Sequence, residues 1–254
     1  MRRLRIIGIG VGDPGFVTAD AAQAMRELDV VFVLDKSGPA HELTLARQAV
    51  LEHFVPEPPR VVVIPDPPRD RQDPDYEGAV HRWREARVDV LVEALENELP
   101  SGGQAGILVW GDPSLYDGAI RVARDLVARD PQIEFDVIAG ISSIHALCAR
   151  HRIPLNRVSG AVEITTGRRL KEAWPEGVDD VFIMLDSHLV CREYAGEEID
   201  IYWGAYLGTQ DEILVAGRLG EKIDEIQRLR DEARERKGWV MDSYLLRRNP
   251  ADAT

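Results

Sequence analysis

Short apolar runs and longer amphipathic stretches alternate along the first half of the chain. The apolar runs have the length and β-branched content of buried strands, and they occupy 4–9, 30–34, 61–64, 106–110 and 134–138. Apolar residues at helical spacing fill the intervals, at 18–28, 40–53, 79–99 and 116–129. Strands and helices in strict alternation predict a mainly parallel sheet that is covered on both faces.

The second half of the chain shows a different spacing of strands. Strand-like runs occur at 161–165, 180–185, 199–206, 212–217 and 239–246, and helical patterns at 142–151, 187–195 and 219–237. Because the strands after residue 199 follow one another closely, we expect some antiparallel pairing there. The pattern predicts an α/β protein of two domains, residues 1–138 with a mainly parallel sheet and residues 139–254 with a mixed sheet.

The most informative segment is the end of the predicted strand 106–110. The strand stops at Gly111-Asp112-Pro113, and a helical pattern follows from Tyr116. Ligands in open α/β sheets bind just beyond the carboxyl ends of the strands. Gly111 permits close backbone approach and Pro113 fixes φ, so Asp112 is held on a stiff turn where ligands bind. An Asx-turn that only ends the strand accounts for the same residues equally well.

A glycine-rich loop, Gly8–Gly15, follows the first predicted strand. Three of its glycines have the spacing of a dinucleotide-binding fingerprint: Gly10, Gly12 and Gly15. Asp35 stands where the ribose-binding acid of that fingerprint would be, which leaves a nicotinamide-dependent oxidoreductase as an alternative function. Against it, Pro14 has no amide to offer a pyrophosphate, and the expected N-cap, Thr18, lies beyond the last glycine. We therefore interpret the loop as the floor beneath another flat ligand.

The predicted strand 134–138 also ends in a polar loop, Ala139-Gly140-Ile141-Ser142-Ser143, ahead of a helix. Ser142 or Ser143 would cap that helix, which is the ordinary role of serine at this position. Hydroxyl groups and free amides at a helix start could equally hold a ligand carboxylate.

Taken together, these three loops resemble the tetrapyrrole methylase family, the S-adenosylmethionine enzymes of cobalamin and sirohaem synthesis. A fourth match is the run 181–185, where the family has a strand that ends in a cofactor-contacting methionine, here Met184. Two positions depart from the family pattern: Ala139 replaces a proline, and Leu207–Glu212 lacks the usual Thr-Pro. The resemblance implies two α/β domains with the active-site cleft between them.

Finer similarities indicate one branch of this family, and they lie in Leu34–Lys36, Trp110–Asp117, Ile153–Asn156, Thr165–Leu170 and Met184–Asp186. That branch methylates carbon 1 of precorrin-5 in aerobic cobalamin biosynthesis and releases acetate. Methylation at another tetrapyrrole position is the alternative within the family.

The resemblance also implies the ligands and the residues that would bind them. S-adenosyl-L-methionine would be the methyl donor and S-adenosyl-L-homocysteine the product. The implied cofactor contacts are Gly111, Asp112, Leu115, Tyr116, Ser142, Ser143, Met184, Leu185, Tyr206, Met241, Asp242 and Ser243. The first loop would contact the substrate, through Gly10, Val11, Gly12, Asp13 and Pro14. Removal of an acetyl group requires a positioned base or hydrogen-bond donor, for which the candidates are Asp35, Asp112 and Tyr116.

The net charge of the chain restricts which partners it can bind. A net charge of −13 argues against a nucleic-acid partner, because phosphate binding needs a basic surface. The same charge would repel a polycarboxylate macrocycle, so local positive groups must receive it. Arg168 and Arg169, directly after a predicted strand, are the first candidates and Lys36 is the second, since the planar fork of arginine binds carboxylates in bidentate fashion.

The remaining expectations concern location, metals and assembly. No run approaches the roughly 20 apolar residues that span a membrane, and two cysteines, Cys148 and Cys191, cannot form a disulfide framework. We therefore expect a cytoplasmic protein that binds no membrane. We expect no metal site, because His151 falls off the helix face that His145 and Cys148 share. The family resemblance implies a homodimer.

Overall fold

The structure is a computed structural model that describes residues 1–35, 41–68, 70, 73 and 75–249. For Asp35, residues 41–43 and Tyr76 it describes the backbone alone. The candidate residue Lys36 and the side chain of the candidate Asp35 therefore lie outside the described part.

The chain divides into two compact units, Met1–Ser142 and Ser143–Thr254. The sequence places the boundary slightly earlier, after residue 138. The loop after that residue belongs to the first unit because its backbone is bonded there: the Thr18 hydroxyl donates to the Ala139 carbonyl over 3.3 Å, and the Asp112 carboxylate accepts from the Gly140 N–H.

The first unit contains a five-stranded parallel sheet with the order β3-β2-β4-β1-β5. Its strands are β1 (Arg2–Gly8), β2 (Val30–Asp35), β3 (Arg60–Pro65), β4 (Gly103–Val109) and β5 (Ile133–Ile138). Its helices are α1 (Ala19–Arg26), α2 (His41–Phe54), α3 (Tyr76–Glu98) and α4 (Ala119–Arg129). Side chains of α1 and α2 pack into one buried cluster and those of α3 and α4 into another, so the sheet is covered on both faces as predicted.

The second unit contains a mixed five-stranded sheet with the order β6-β7-β10-β8-β9. Only β6 and β7 are parallel, and the other neighbours are antiparallel. Its strands are β6 (Val162–Thr166), β7 (Asp180–Met184), β8 (Ile199–Ala205), β9 (Ile213–Arg218) and β10 (Asp242–Arg248). Its helices are α5 (Ser143–His151), α6 (Gly167–Glu172) and α7 (Leu219–Lys237). The predicted mixture of parallel and antiparallel pairing is confirmed.

Two predicted helices are wrong in extent, for local reasons. The helix expected from residue 116 begins at Ala119, because Tyr116 has a left-handed φ of 53° and the Asp117 carboxylate accepts the Ala119 N–H over 2.6 Å. The helix expected at 187–195 is only a 3₁₀ turn, Val190–Tyr194. Arg168 and Arg169 lie in the short helix α6, for which the sequence pattern predicted no element.

None of the helices in the described part of the chain is long and apolar enough to cross a membrane. Among the described residues, no group of three or more histidine, cysteine, aspartate and glutamate side chains could hold a metal ion.

Candidate active site

The three loops that the sequence singles out meet at one edge of the first sheet. They follow β1, β4 and β5, and β1 pairs with both of the others in parallel register. Backbone bonds join the first two loops: Gly111 N–H donates to the Gly10 carbonyl over 2.7 Å, and Gly10 N–H donates to the Gly111 carbonyl over 3.3 Å. The sequence pattern therefore placed the loops correctly at the carboxyl ends of neighbouring strands.

Glycine is required where these loops touch. A Cβ atom at Gly140 would lie 2.1 Å from the Gly111 carbonyl oxygen, and one at Gly8 would lie 2.6 Å from the Gly140 nitrogen. Any side chain at either position would therefore push the loop backbones apart.

The Asp112 carboxylate holds two of these loops together. Its Oδ1 atom accepts from the Ser114 N–H over 2.8 Å and also from the Ser114 hydroxyl. Its Oδ2 atom accepts from the Gly140 N–H over 2.8 Å. The Asx-turn is thus present, and because both oxygens accept hydrogen bonds from the protein, the geometry favours a positioning role over proton transfer.

The geometry of the first loop does not suit a dinucleotide. Gly15 lies in a 3₁₀ turn, Pro14–Phe16, and its N–H donates to Asp13 Oδ1 over 2.7 Å. Helix α1 starts only at Ala19, with the expected cap: Thr18 Oγ1 accepts from the Ala21 N–H over 3.1 Å. The amide that a pyrophosphate would use is therefore already bonded, and the helix N-terminus lies beyond the glycines.

Three predicted cofactor residues have strained backbones. Tyr116, Leu185 and Tyr206 have φ values of 53°, 56° and 48°, and they are half of the six non-glycine residues with positive φ in the described part of the chain. Such conformations are costly for residues with side chains, and they cluster at ligand-binding sites. Tyr116 and Leu185 are also unusually exposed for large apolar or aromatic residues, at 47% and 67%.

The predicted cofactor residues of the second unit lie at one edge of its sheet. Antiparallel pairing places Met184 opposite Ser243 and Asp242 opposite Ala205, which directly precedes Tyr206. The Tyr206 N–H donates to the Met241 carbonyl over 2.9 Å. A pocket of about 380 Å³ opens at this edge, lined by Leu185, Asp186, Ser187, Trp239, Val240, Met241 and Asp242.

A buried polar network holds the backbone of this pocket. Asp186 Oδ2 accepts from the Val190 N–H over 2.7 Å and from the Tyr244 hydroxyl over 2.5 Å. Asp242 accepts from Trp203 Nε1 over 2.7 Å and forms a 3.0 Å ion pair with Arg230, with both side chains less than 5% exposed. Burial raises the pKa of the Asp242 carboxyl, while the positive charge of Arg230 lowers it. The Asp242 carboxylate therefore stabilises the fold through its hydrogen bond with Trp203 and its ion pair with Arg230.

The two cysteines are poor nucleophiles. Cys191 is fully buried, and burial raises the pKa of its thiol to about 12. Burial also raises the pKa of Cys148. Neither thiol is therefore appreciably ionised at neutral pH.

Two of the buried polar atoms that lack a hydrogen-bond partner within the described residues belong to residues of the candidate site. They are the hydroxyl of Ser143, the first residue of α5, and the indole Nε1 of Trp239 in the pocket. Buried polar groups are nearly always satisfied, so both atoms suit a bound ligand. The sequence identified Ser143 but missed Trp239, which lay inside a predicted strand with no pattern to distinguish it from a core residue.

The candidate arginines for the substrate lie in α6, directly after β6. Both are exposed, and Arg169 pairs with Glu172 over 2.7 Å. No ion pair involves Arg168 among the described side chains. Since β6 is parallel to β7, α6 begins at the same sheet edge at which Met184 ends β7.

The glycine-bearing loops at the edge of the first sheet and the strained turns at Tyr116, Leu185 and Tyr206 indicate one class of protein. The chain belongs to the tetrapyrrole (corrin/porphyrin) methylases, whose family model matches residues 3–223. The resemblance inferred from its loops is thus confirmed, and the chain is a methyltransferase. It is 42% identical over 250 residues to the precorrin-6A synthase (deacetylating) of Sinorhizobium sp., covering 98% of this chain and 96% of that protein.

Solved structures agree with this assignment. A cobalamin synthesis related protein (CobF) of Corynebacterium diphtheriae is 32% identical, with a TM-score of 0.83, covering 97% of this chain and 99% of that chain. Uroporphyrin-III C-methyltransferase of Thermus thermophilus, solved with S-adenosylhomocysteine, is 15% identical and shows the shared fold, with a TM-score of 0.58 over 96% of this chain and 91% of that chain.

Proposed function

We propose that this protein is an S-adenosylmethionine-dependent C-methyltransferase of aerobic cobalamin (vitamin B12) biosynthesis. It methylates carbon 1 of precorrin-5 and releases acetate, giving precorrin-6A. The observation that carries the proposal is the 42% identity, over 98% of the chain, to a precorrin-6A synthase (deacetylating). The motif loops at the carboxyl edge of the first sheet support it, because their geometry does not suit the dinucleotide mode that the glycine spacing also allowed.

S-adenosylmethionine is the proposed methyl donor, and the pocket of the second unit offers suitable groups. Leu185 and Met241 provide apolar surface, and the unpartnered Nε1 of Trp239 can donate to a polar atom of the ligand. When bound, the cofactor supplies a methyl group already activated on a sulfonium sulfur, so the protein's task is orientation. The full proposed set of contacts is Gly111, Asp112, Leu115, Tyr116, Ser142, Ser143, Met184, Leu185, Tyr206, Trp239, Met241, Asp242 and Ser243.

The proposed substrate contacts are the first loop and three basic residues: Gly10, Val11, Gly12, Asp13, Pro14, Lys36, Arg168 and Arg169. The loop is fixed by its bonds to Gly111 and by the Asp13 cap, so it can present a rigid backbone surface to a flat macrocycle. Arg168 is the strongest candidate for a substrate carboxylate because Arg169 already pairs with Glu172.

Removal of the acetyl group requires water to add to its carbonyl carbon while the ring carbon takes the electrons of the broken carbon–carbon bond. A group must accept the proton of that water. Asp35, at the end of β2, is the proposed proton acceptor, because a carboxylate can take up that proton. Tyr116 is the proposed hydrogen-bond donor to the acetyl carbonyl oxygen, because its strained turn exposes the phenol at a strand end. Asp112 acts by holding the loop.

We also propose that the protein works in the cytoplasm as a homodimer, on the strength of the family resemblance. Sedimentation of the purified chain tests the dimer.

The direct test of the activity is incubation with precorrin-5 and S-adenosylmethionine, followed by mass spectrometry and an acetate assay. We expect one methyl group gained for each acetate released. Methyl gain without acetate would assign the enzyme to another ring position, and failure of both would overturn the proposal.

A further inference from the structure

The first sheet opens between two of its central strands. β2 and β4 are neighbours, yet they pair only at Val30 with Ala105 and Val31 with Gly106. Beyond that point a cavity of about 120 Å³ lies between them, lined by residues 32–34 of β2 and 107–109 of β4. Helix α2, after β2, and helix α4, after β4, pack on opposite faces of the sheet. This is the arrangement in which α/β sheets bind ligands at the carboxyl ends of their strands.

One of the two arginines that line this cavity forms no ion pair with a carboxylate in the described part of the chain. Arg47 of α2 donates from Nε to the Leu108 carbonyl over 2.9 Å, and none of the ion pairs among the described side chains involves it. Burial lowers the pKa of its guanidinium, and the charge of Asp117 at the same cavity raises it. Arginine remains charged in such surroundings, so its outer N–H groups are donors in a partly desolvated space.

The second arginine at the cavity is different. Arg87 donates to both carboxylate oxygens of Asp66, over 2.6 and 2.5 Å, and its guanidinium stacks 3.9 Å from the ring centroid of Trp83. The side chains of this pair are 9% and 5% exposed. The charge of Arg87 is thus balanced by Asp66 within the protein, and Arg47 is the arginine that can bind an anionic ligand.

We propose that this cavity is a subsite for a short-chain carboxylate. The carboxylate pairs with Arg47, and its carbon end packs against Phe32, Leu34 and Leu91. A volume of about 120 Å³ suits a group of a few heavy atoms. The natural occupant follows from the proposed function, on which this part rests. It is either an acidic side chain of the macrocycle or the acetate that the reaction releases.

The test is calorimetric titration of the purified full-length protein with acetate, without tetrapyrrole or S-adenosylmethionine. We expect saturable binding of acetate and none of neutral acetamide. Arg47→Met should weaken acetate binding about tenfold or more, the size of a lost charge-assisted hydrogen bond. Asp117→Asn should tighten it, because the amide oxygen can still accept the Ala119 N–H while the competing negative charge is gone.

Two further variants separate a pocket from a general charge effect. Ala119→Leu fills the cavity and keeps Arg47, so it should abolish acetate binding even if Arg47→Met fails to fold. Arg121→Met removes an exposed arginine from the same helix and should change nothing. Equal binding of acetate and acetamide, or unchanged acetate binding in Ala119→Leu, would overturn the proposal.

Inhibition kinetics distinguish the two sources of the carboxylate. If the subsite holds a side chain of the macrocycle, acetate competes with precorrin-5, and Arg47→Met raises the KM for precorrin-5. If it holds released acetate, saturating precorrin-5 does not relieve the inhibition. A protein that binds acetate through Arg47 but does not methylate precorrin-5 would refute the proposed function and leave the subsite in place.

Discussion

The Asp112 carboxylate, beyond the end of β4, accepts a hydrogen bond of 2.8 Å from the backbone N–H of Gly140, beyond the end of β5, and β1 lies between these two strands in the sheet. The two residues come from separate sequence motifs, and one bond fixes the distance between the loops that carry them. The carboxylate therefore acts as a clamp at the carboxyl edge of the first sheet. A fixed loop geometry is needed at a site that accelerates a reaction by orienting the reactants.

Asp112→Ala removes that clamp and the local bonds to Ser114. We expect a loss of about 1–3 kcal/mol in the free energy of unfolding, because the Gly140 N–H loses its partner. The rate of methyl transfer should fall by a factor that corresponds to a larger free energy than the loss in free energy of unfolding, because the loops no longer hold their relative positions. Ser114→Ala is the matched control: it removes only the hydroxyl bond and should cost less than about 1 kcal/mol. Urea unfolding and initial rates measure both effects, and equal behaviour of the two variants would refute the clamp.

Gly140→Ala tests the close contact of the loops. The added methyl group would lie 2.1 Å from the Gly111 carbonyl oxygen, so the backbone must shift. We expect destabilisation of at least about 1–3 kcal/mol by thermal or urea unfolding. Gly118→Ala serves as control because its Cβ would meet nothing within 4 Å, and it should leave stability nearly unchanged. A Gly140→Ala protein as stable as Gly118→Ala would contradict the described loop geometry.

Trp239→Phe removes the unpartnered indole N–H from the pocket of the second unit. The ring contact with Tyr206, edge-on at 5.7 Å between centroids, can persist. We expect affinity for S-adenosylhomocysteine to fall about fivefold to tenfold, the size of one hydrogen bond, with little change in stability. Trp174→Phe is the converse control: its Nε1 donates to the Val178 carbonyl over 2.7 Å, so it should lose stability and keep affinity. Calorimetry that shows the opposite pattern would assign the ligand elsewhere.

His151 makes stability depend on pH. Burial lowers its pKa, against the raising effects of the Trp203 carbonyl and Glu212. The unfolded chain therefore takes up a proton below about pH 6.5 while the folded protein resists it, so this contribution to stability is complete above that pH and is lost as pH falls. His151→Gln should flatten the decline in melting temperature between about pH 6.5 and 5. Exposed His53→Gln should not change it, and an unaltered decline in His151→Gln would refute the assignment.

Much of the fold follows from local pattern. Helix α7 occupies the predicted residues, Leu219–Lys237, because its apolar stripe faces the core and the left-handed Gly238 ends it. All ten strands lie close to their predicted positions, since each buries a continuous or alternating apolar run.

The errors arise where a side chain bonds its own backbone. The Asp186 carboxylate accepts hydrogen bonds from the N–H groups of His188 and Val190. These bonds favour a short turn in place of the expected helix. The positions and turns of the loops could be predicted more readily than the rest of the candidate site, because glycine and proline restrict the backbone in known ways. The roles of Arg47 and Trp239 could not be predicted, because both depend on pairing between strands that are distant in sequence. Arg47 lies where β2 and β4 cease to pair, and Trp239 lies beside the edge formed by β7, β8 and β10.

The central claim is that this chain presents a site for a sulfonium nucleoside and not for a dinucleotide. Calorimetric titration of the wild-type protein with S-adenosylhomocysteine, and separately with NAD and NADP, tests it most directly. We expect one nucleoside bound per chain, a raised melting temperature, and no heat from either dinucleotide. Binding of NAD or NADP without binding of S-adenosylhomocysteine would contradict the account.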